Sequence, residues 1–186
     1  MTFESYLSAQ PLEAFLREAE GASPARVERA LETRRPDFGD YLALLSPGAA
    51  GFLEPLAERA RQITRERFGR VIQLYAPMYV SNECTNSCVY CGFNRTNAVQ
   101  RITLSPAEVE AEAAILWAQG FRDLLLVSGE APGRVPVSFF LELASRLGPR
   151  FPSLSAEIYP LSGEDYARLA EAGIDGLTVF QETYDR

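Results

Sequence analysis

The stretch that decides the fold reads VIQLYAPMYV from Val71 to Val80, and SNECTNSCVYCGFN follows it over residues 81–94. The first part is rich in β-branched and aromatic residues, which predicts a buried strand over residues 71–80. The second part holds all three cysteines of the chain in the spacing C-x3-C-x2-C: Cys84, Cys88 and Cys91. No glycine-rich dinucleotide fingerprint follows this strand. The first candidate functional feature is therefore a cysteine loop at a strand end.

Downstream of the cysteines, helical patterns alternate with short apolar runs. A capping box over Ser105–Glu108, with Pro106 at the first helical position, opens a helix that Gly120 closes. The remaining predicted elements are a strand over 123–128, a helix over 137–147, a strand over 154–159, a helix capped by Ser162 and Asp165 and ended by Gly173, and a strand over 176–180. This alternation predicts an α/β fold with a parallel sheet, either doubly wound or closed into a barrel.

The part of the chain before the first strand has a helical pattern. Apolar residues recur at helical spacing over three segments: Pro11–Glu20, Pro24–Arg34 and Phe52–Phe68. Gly69 is expected to end the last of these helices. The sequence thus predicts a helical N-terminal extension over residues 1–69 that acts as a packing layer, and an α/β domain over residues 70–186.

Composition excludes several classes of function. A formal net charge of −7 argues against nucleic acid as a partner, because phosphate binding draws its affinity from Lys and Arg. The absence of histidine excludes Ser-His-Asp and Cys-His nucleophiles and histidine-ligated zinc. No apolar run of about 18 residues and no secretion signal are present, which predicts a cytoplasmic protein without a membrane partner.

Three clustered thiols in a reducing compartment indicate a metal site rather than disulfides. Soft thiolates select iron–sulfur clusters, zinc or cuprous ions. Structural zinc needs a fourth ligand, which only a carboxylate or a partner protein could supply here. A [4Fe-4S] cluster held by three thiolates leaves one iron open, as a catalyst that binds a substrate at the metal requires.

The C-x3-C-x2-C loop after the first strand, with the aromatic Tyr90 before the third cysteine, resembles the radical S-adenosylmethionine superfamily. This resemblance implies a (β/α)8 barrel of the TIM type whose N-terminal half is present here. It also implies that the open iron binds S-adenosylmethionine, whose reductive cleavage gives a 5′-deoxyadenosyl radical that abstracts hydrogen from substrate.

Two further positions fit the same resemblance. Ser128-Gly129-Glu130, at the end of the second strand, is similar to the family's G-G-E motif, which contacts the methionine amino group, with Ser128 in place of the first glycine. Glu157, in the third strand, is implied to contact the ribose or amino group of the cofactor. Without the resemblance, a turn would explain Ser128-Gly129-Glu130 and an ion pair would explain Glu157 equally well. A solvated loop would likewise explain residues 181–184.

Within the superfamily, the string YAPMYVSNECTNSCVYCGFNRTN resembles the aromatic amino acid lyases, and among them the 2-iminoacetate synthase family of thiamine thiazole formation. The resemblance implies L-tyrosine as substrate, Cα–Cβ scission to 4-cresol and 2-iminoacetate (dehydroglycine), and thiazole synthase and a flavodoxin- or ferredoxin-type electron donor as partners. It assigns no catalytic residue in this chain.

Three alternatives remain at this stage. The first is the tyrosine lyase of [FeFe]-hydrogenase maturation, which carries a second cluster near its C-terminus. Other radical S-adenosylmethionine synthases form the second alternative, and a non-catalytic iron–sulfur or zinc-binding module forms the third. A complete (β/α)8 barrel takes about 250 residues, so the four predicted strands correspond to half a barrel and predict a fragment of a longer protein.

Overall fold

The computed structural model describes residues 3–179, and the chain forms two compact units, Met1–Val71 and Ile72–Arg186. The fold is α/β with a parallel sheet, as the sequence predicts. The division into a helical N-terminal extension over residues 1–69 and a partial barrel over residues 70–186 stays a prediction.

The first unit is helical throughout its described part. Its elements are α1 (Phe3–Ser8), α2 (Leu12–Glu20), α3 (Pro24–Glu32), α4 (Phe38–Leu44), a 3-10 helix (Pro47–Phe52) and α5 (Leu53–Phe68). Two of the three predicted helices begin and end within one residue of their predicted bounds, and α3 ends two residues early. Gly69 ends α5 with a φ of 68°, a left-handed conformation that glycine adopts without steric cost.

A salt bridge joins the helices of this unit. The Arg26 guanidinium of α3 donates to the Asp40 carboxylate of α4, and Asp40 also accepts from the main-chain N–H of Asp37 in a capping box. These interactions hold the pKa of Asp40 below its usual value, with the Arg26 hydrogen bond as the main cause. Val27 and Ala30 of α3 are buried in the same unit.

The second unit alternates strands and helices. Its elements are β1 (Tyr75–Ser81), α6 (Pro106–Ala118), β2 (Asp123–Ser128), α7 (Val137–Leu147), β3 (Ser153–Glu157), α8 (Gly163–Glu171) and β4 (Gly176–Thr178). The strands lie in the order β1-β2-β3-β4 and every neighbouring pair is parallel. Sequential parallel strands joined by helices are the arrangement found in (β/α)8 barrels, and four such strands are described here.

The strand register separates the two faces of the sheet. Met78, Leu126 and Ala156 occupy one row and belong to the buried core that α6, α7 and α8 complete. The next row, on the opposite face, contains Tyr79, Val127, Glu157 and Thr178. Side chains alternate between the two faces of a strand, so the side chains of the second row point away from the helices. Phe140 of α7 and Phe151 are the largest fully buried side chains among the described residues.

Three of the four predicted strands differ in their boundaries from the observed ones. Strand β1 begins at Tyr75 rather than Val71, because its neighbour β2 begins at Asp123, the residue that pairs with Tyr75. Val71 and Ile72 are accordingly exposed, by 79% and 83%. Only alternate residues of β1 are buried along most of its length, so the predicted burial of this strand holds for one of its faces. Strand β3 spans Ser153–Glu157 rather than 154–159, and β4 ends at Thr178, while Phe180 lies outside the described residues.

Candidate functional site

The three cysteines lie on the segment that connects β1 to α6, which we call the cysteine loop and define as residues 82–104. It leaves the sheet at the carboxyl end of β1, the edge where parallel α/β folds bind their ligands. An antiparallel bridge between Ser81 and Thr103 brings its end back beside its start. Cys84, Cys88 and Cys91 are half-buried free thiols. The structure thus brings three soft ligands to the expected edge of the sheet.

Polar side chains hold the cysteine loop in place of regular secondary structure. Asn82 accepts from the Ile102 N–H with its Oδ1 at 2.7 Å and donates to the Gln100 carbonyl at 2.8 Å. Asn94 is buried, donates to the Cys88 carbonyl at 3.0 Å and accepts from the Thr96 N–H at 2.9 Å. These contacts give the cysteine loop a defined shape.

Gly129 packs directly against the chain at the first cysteine. A Cβ at this position would clash with the Glu83 carbonyl oxygen and lie 3.0 Å from the Cys84 Cβ, so only glycine fits. The Gly129 N–H donates to the Ser81 carbonyl at 3.3 Å. Ser128, before it, is buried, and its Oγ has no hydrogen-bond partner in the described part of the chain.

Glu130 connects the end of β2 to the cysteine loop through both its main chain and its side chain. Its carbonyl accepts from the Thr85 N–H at 2.9 Å and from the Thr85 hydroxyl at 3.0 Å. Its carboxylate accepts from Asn86 Nδ2 at 2.8 Å. The segment Ser128–Glu130 is thus fixed against the loop, as a site shared between the two requires.

The thiols suit a cluster of several irons. Within residues 3–179, no three His, Cys, Asp or Glu side chains form a group that could hold one metal ion. A cubane cluster does not need its ligands to converge on one ion, because each thiolate binds a separate iron atom. The Phe93 N–H lies 3.4 Å from the Cys91 Sγ, and such hydrogen bonds to sulfur tune iron–sulfur clusters. Three soft donors with a main-chain N–H at one sulfur therefore fit a [4Fe-4S] cluster.

The other predicted site residues take no part in the hydrogen bonds described above. Tyr90 is 66% exposed and makes no hydrogen bond or ring contact with the rest of the described chain. Glu157 is half-buried rather than buried, because it lies on the face of β3 opposite the core. Its carboxylate has no hydrogen bond or ion pair within residues 3–179, so the ion pair that was the alternative explanation of Glu157 is not found there. Residues 181–184 lie outside the described residues.

One buried ionisable group lies beyond the end of β3. The Tyr159 hydroxyl donates to the Val135 carbonyl at 2.6 Å, and the residue is 4% exposed. Burial raises the pKa of Tyr159, and the negative charges of Asp165 and Glu130 raise it further.

Sequence reasoning missed the residues that shape the loop. Thr85, Asn86 and Arg101 bind main-chain or side-chain atoms that define the site, but we had assigned them no role. Asn and Arg in a loop are ordinarily solvated, so their residue types carry no signal. Only the partners that the fold brings near them distinguish them from surface residues.

A model of the radical SAM superfamily matches residues 78–186, which include all three cysteines. The chain belongs to the radical SAM superfamily. Members of this superfamily use a [4Fe-4S] cluster and S-adenosylmethionine, in agreement with the predicted cofactors.

Individual relatives of this radical SAM chain agree with the family. It is 44% identical over 164 residues to a 2-iminoacetate synthase of Escherichia coli (strain K12), a match that covers 88% of this chain and 44% of the relative. It is 31% identical over 142 residues to the [FeFe] hydrogenase maturase subunit HydE of Thermotoga maritima (strain ATCC 43589 / DSM 3109 / JCM 10099 / NBRC 100826 / MSB8), with 75% of this chain and 40% of the relative covered. The chain thus spans less than half the length of either relative.

A solved structure supports the same conclusion. The crystal structure of HydG, a maturase of the [FeFe]-hydrogenase, superimposes on this chain with a TM-score of 0.87 at 27% identity. The match covers 97% of this chain and 42% of the HydG chain. None of the helices described in this radical SAM chain has both the length and the apolar character needed to cross a bilayer.

Proposed function

We propose that this chain is the N-terminal part of a radical SAM tyrosine lyase that cleaves the Cα–Cβ bond of L-tyrosine to 4-cresol and 2-iminoacetate for thiazole formation. The observation that carries the proposal is the placement of three free thiols on a loop at the carboxyl edge of a parallel sheet, with that loop held against Gly129 and Glu130. The 44% identity with a 2-iminoacetate synthase supports the choice of substrate.

In this proposal each part of the site has one task. Cys84, Cys88 and Cys91 would hold the [4Fe-4S] cluster, which in its reduced state would supply the electron for reductive cleavage of S-adenosylmethionine. Ser128, Gly129 and Glu130 are proposed to bind the methionine end of that cofactor, since Gly129 leaves no side chain between β2 and the chain at Glu83 and Cys84. A carboxylate at Glu130 suits a cationic amino group.

Two further side chains are proposed to complete the cofactor site. Glu157 lies on the open face of the sheet and has no partner in the described part of the chain, so its carboxylate is available to a ribose hydroxyl or an ammonium group. Tyr90 is exposed beside Cys91 and is available to pack against the cofactor. Thiazole synthase and a flavodoxin- or ferredoxin-type electron donor are the proposed partners, and the three clustered thiols favour the reducing cytoplasm.

Product analysis tests the proposal directly. The full-length protein is reconstituted anaerobically with iron and sulfide and then given dithionite, S-adenosylmethionine and tyrosine. We expect 5′-deoxyadenosine and 4-cresol together. Deoxyadenosine without cresol would exclude tyrosine as the substrate. The absence of both products from a protein with a well-formed cluster would contradict the assignment as an enzyme.

Matched variants identify the ligands. Cys88→Ala is expected to abolish cluster formation, measured as bound iron and sulfide and as the charge-transfer absorption of the reconstituted protein. Val89→Ala changes the neighbouring residue, which is 97% exposed, and is expected to leave the cluster intact. Equal iron content in the two variants would contradict the ligand assignment. A colourless protein that binds zinc would favour the non-catalytic metal-binding module.

The tyrosine lyase role in [FeFe]-hydrogenase maturation is a second candidate. The TM-score of 0.87 with HydG favours it, whereas the identity with HydG is 27%, against 44% with 2-iminoacetate synthase. Both candidates predict deoxyadenosine and cresol. A single cluster per full-length chain, counted by iron analysis, would support the thiazole role, and a second cluster would support the maturase.

A further inference from the structure

Arg101 binds the chain on both sides of the cysteine segment. Its guanidinium donates from Nη1 to the carbonyls of Asn82 at 2.7 Å and Phe93 at 2.8 Å, and from Nη2 to the carbonyl of Asn94 at 2.6 Å. Asn82 stands two residues before Cys84, and Phe93 stands two residues after Cys91. One side chain therefore joins the entrance and the exit of the segment that carries the thiols.

These hydrogen bonds replace the secondary structure that the loop lacks. Helices and strands satisfy main-chain carbonyls internally, but residues 82–102 belong to neither. A planar guanidinium presents five donors in a rigid fork and can bind several carbonyls at once, which a lysine ammonium on a flexible stem does less well. Charge-assisted hydrogen bonds are also about twice as strong as neutral ones.

The charge of Arg101 is not used in an ion pair. It has no carboxylate partner within the described part of the chain, and main-chain carbonyl dipoles accept all three of its hydrogen bonds. A surface arginine would ordinarily be solvated or paired with a nearby acid. Arg101 is instead half-buried at the base of a loop that would carry three thiolates.

We propose that Arg101 is a positioning residue for the cluster: it closes the base of the cysteine loop and so sets the separation of Cys84 and Cys91 before the cluster is assembled. This inference rests on the proposed cluster site. It adds a residue that touches neither the cluster nor the substrate.

The shape of the loop is tested first, in full-length protein without cluster, by hydrogen–deuterium exchange of peptides covering residues 82–94. Arg101→Gln is expected to speed exchange there roughly tenfold or more, because charge-assisted hydrogen bonds to main-chain carbonyls are lost. Exchange in β2 and α7 is expected to stay unchanged. Faster exchange across the whole sheet would overturn the proposal, since Arg101 would then support the fold in general.

Two further variants separate shape from charge. Arg101→Lys keeps the charge without the fork, so its loop is expected to exchange faster than wild type; full recovery would overturn the proposal in favour of charge alone. Arg95→Gln removes the same charge from a loop residue whose side chain makes no hydrogen bond or ion pair in the described chain. It is expected to exchange as the wild type does.

Cluster retention is tested second. After reconstitution, Arg101→Gln is expected to lose absorbance to an iron chelator roughly tenfold faster than wild type or Arg95→Gln. Equal rates would overturn the role of Arg101 in positioning the cluster. If the wild type itself forms no cluster, the proposed function fails, while the exchange experiment still reports whether Arg101 closes the loop.

Discussion

The sheet and the cysteine loop of the second unit are stabilised by different interactions. In the sheet, Leu126 and Ala156 are 0% exposed and pack against the helices through apolar surface. In the loop, Val89 and Tyr90 are 97% and 66% exposed, and polar side chains bound to main-chain atoms provide the order. Apolar burial is roughly proportional to area and tolerates many residues, whereas a hydrogen-bonded loop depends on particular donors.

Because of this difference, stability and function depend on different residues of the second unit. A change in the sheet removes buried area and lowers the free energy of unfolding of the whole unit. A change in the loop removes a local constraint and alters the site, with little effect on the sheet.

The largest effect is expected from breaking the sheet. Leu126→Ala removes a fully buried side chain and is expected to lower the free energy of unfolding by about 2–5 kcal/mol, measured by urea denaturation. Ile115→Ala in α6, which is 55% exposed, is the control and should cost about 0.5 kcal/mol or less. Equal losses would mean that the face assigned to the core is not the stabilising one.

The contact between the two regions is tested at Gly129. In Gly129→Ala the new methyl group would clash with the Glu83 carbonyl, so we expect a displaced loop, poorer cluster retention and a loss of about 1–3 kcal/mol on denaturation. Gly133→Ala is the matched control, because no heavy atom lies within 4 Å of its added Cβ. A Gly129→Ala protein that keeps both cluster and stability would show that the close approach is unnecessary.

A single buried hydrogen bond beside the sheet has a smaller effect. Tyr159→Phe leaves the Val135 carbonyl without its donor and should cost about 1–2 kcal/mol near neutral pH. Because burial raises the pKa of Tyr159, its contribution is complete below its ordinary pKa of 10.0 and declines as pH rises through the higher folded value. Denaturation of wild type and variant should therefore converge in alkaline solution. Tyr75→Phe, on an exposed ring, should show no such difference at any pH.

The smallest effect is expected at the end of the loop, where α6 begins. Ser105 Oγ accepts from the Glu108 N–H, so Ser105→Ala should lower the free energy of unfolding by about 1 kcal/mol. Ser138→Ala, an exposed change in the first turn of α7, is the control. The difference between the two variants in thermal melting measures the contribution of the cap alone. A loss shared by both variants would point to a general effect of serine removal.

The predictions from sequence succeeded where one local signal sufficed. The capping box at Ser105, the strand over 123–128 and the helix over 137–147 appear with the predicted bounds. They failed where a neighbouring strand sets the boundary. Strand β1 begins at Tyr75 because this residue pairs with Asp123, the first residue of β2. Glu157 stands between buried residues in the sequence, yet alternation along β3 places it on the other face of the sheet.

The sequence by itself determined the ligand type, the order of strands and helices, and the family, because cysteine spacing and hydrophobic periodicity are local properties of the chain. Only the tertiary structure decided that Gly129 lies against Cys84, that Glu130 binds Thr85 and Asn86, and that Arg101 closes the loop. These contacts join residues distant in sequence or in a loop without periodicity, and most of their partners are main-chain atoms, which look the same in every sequence. The physical reason is that a carbonyl becomes a specific partner only when the fold holds it within reach of a donor.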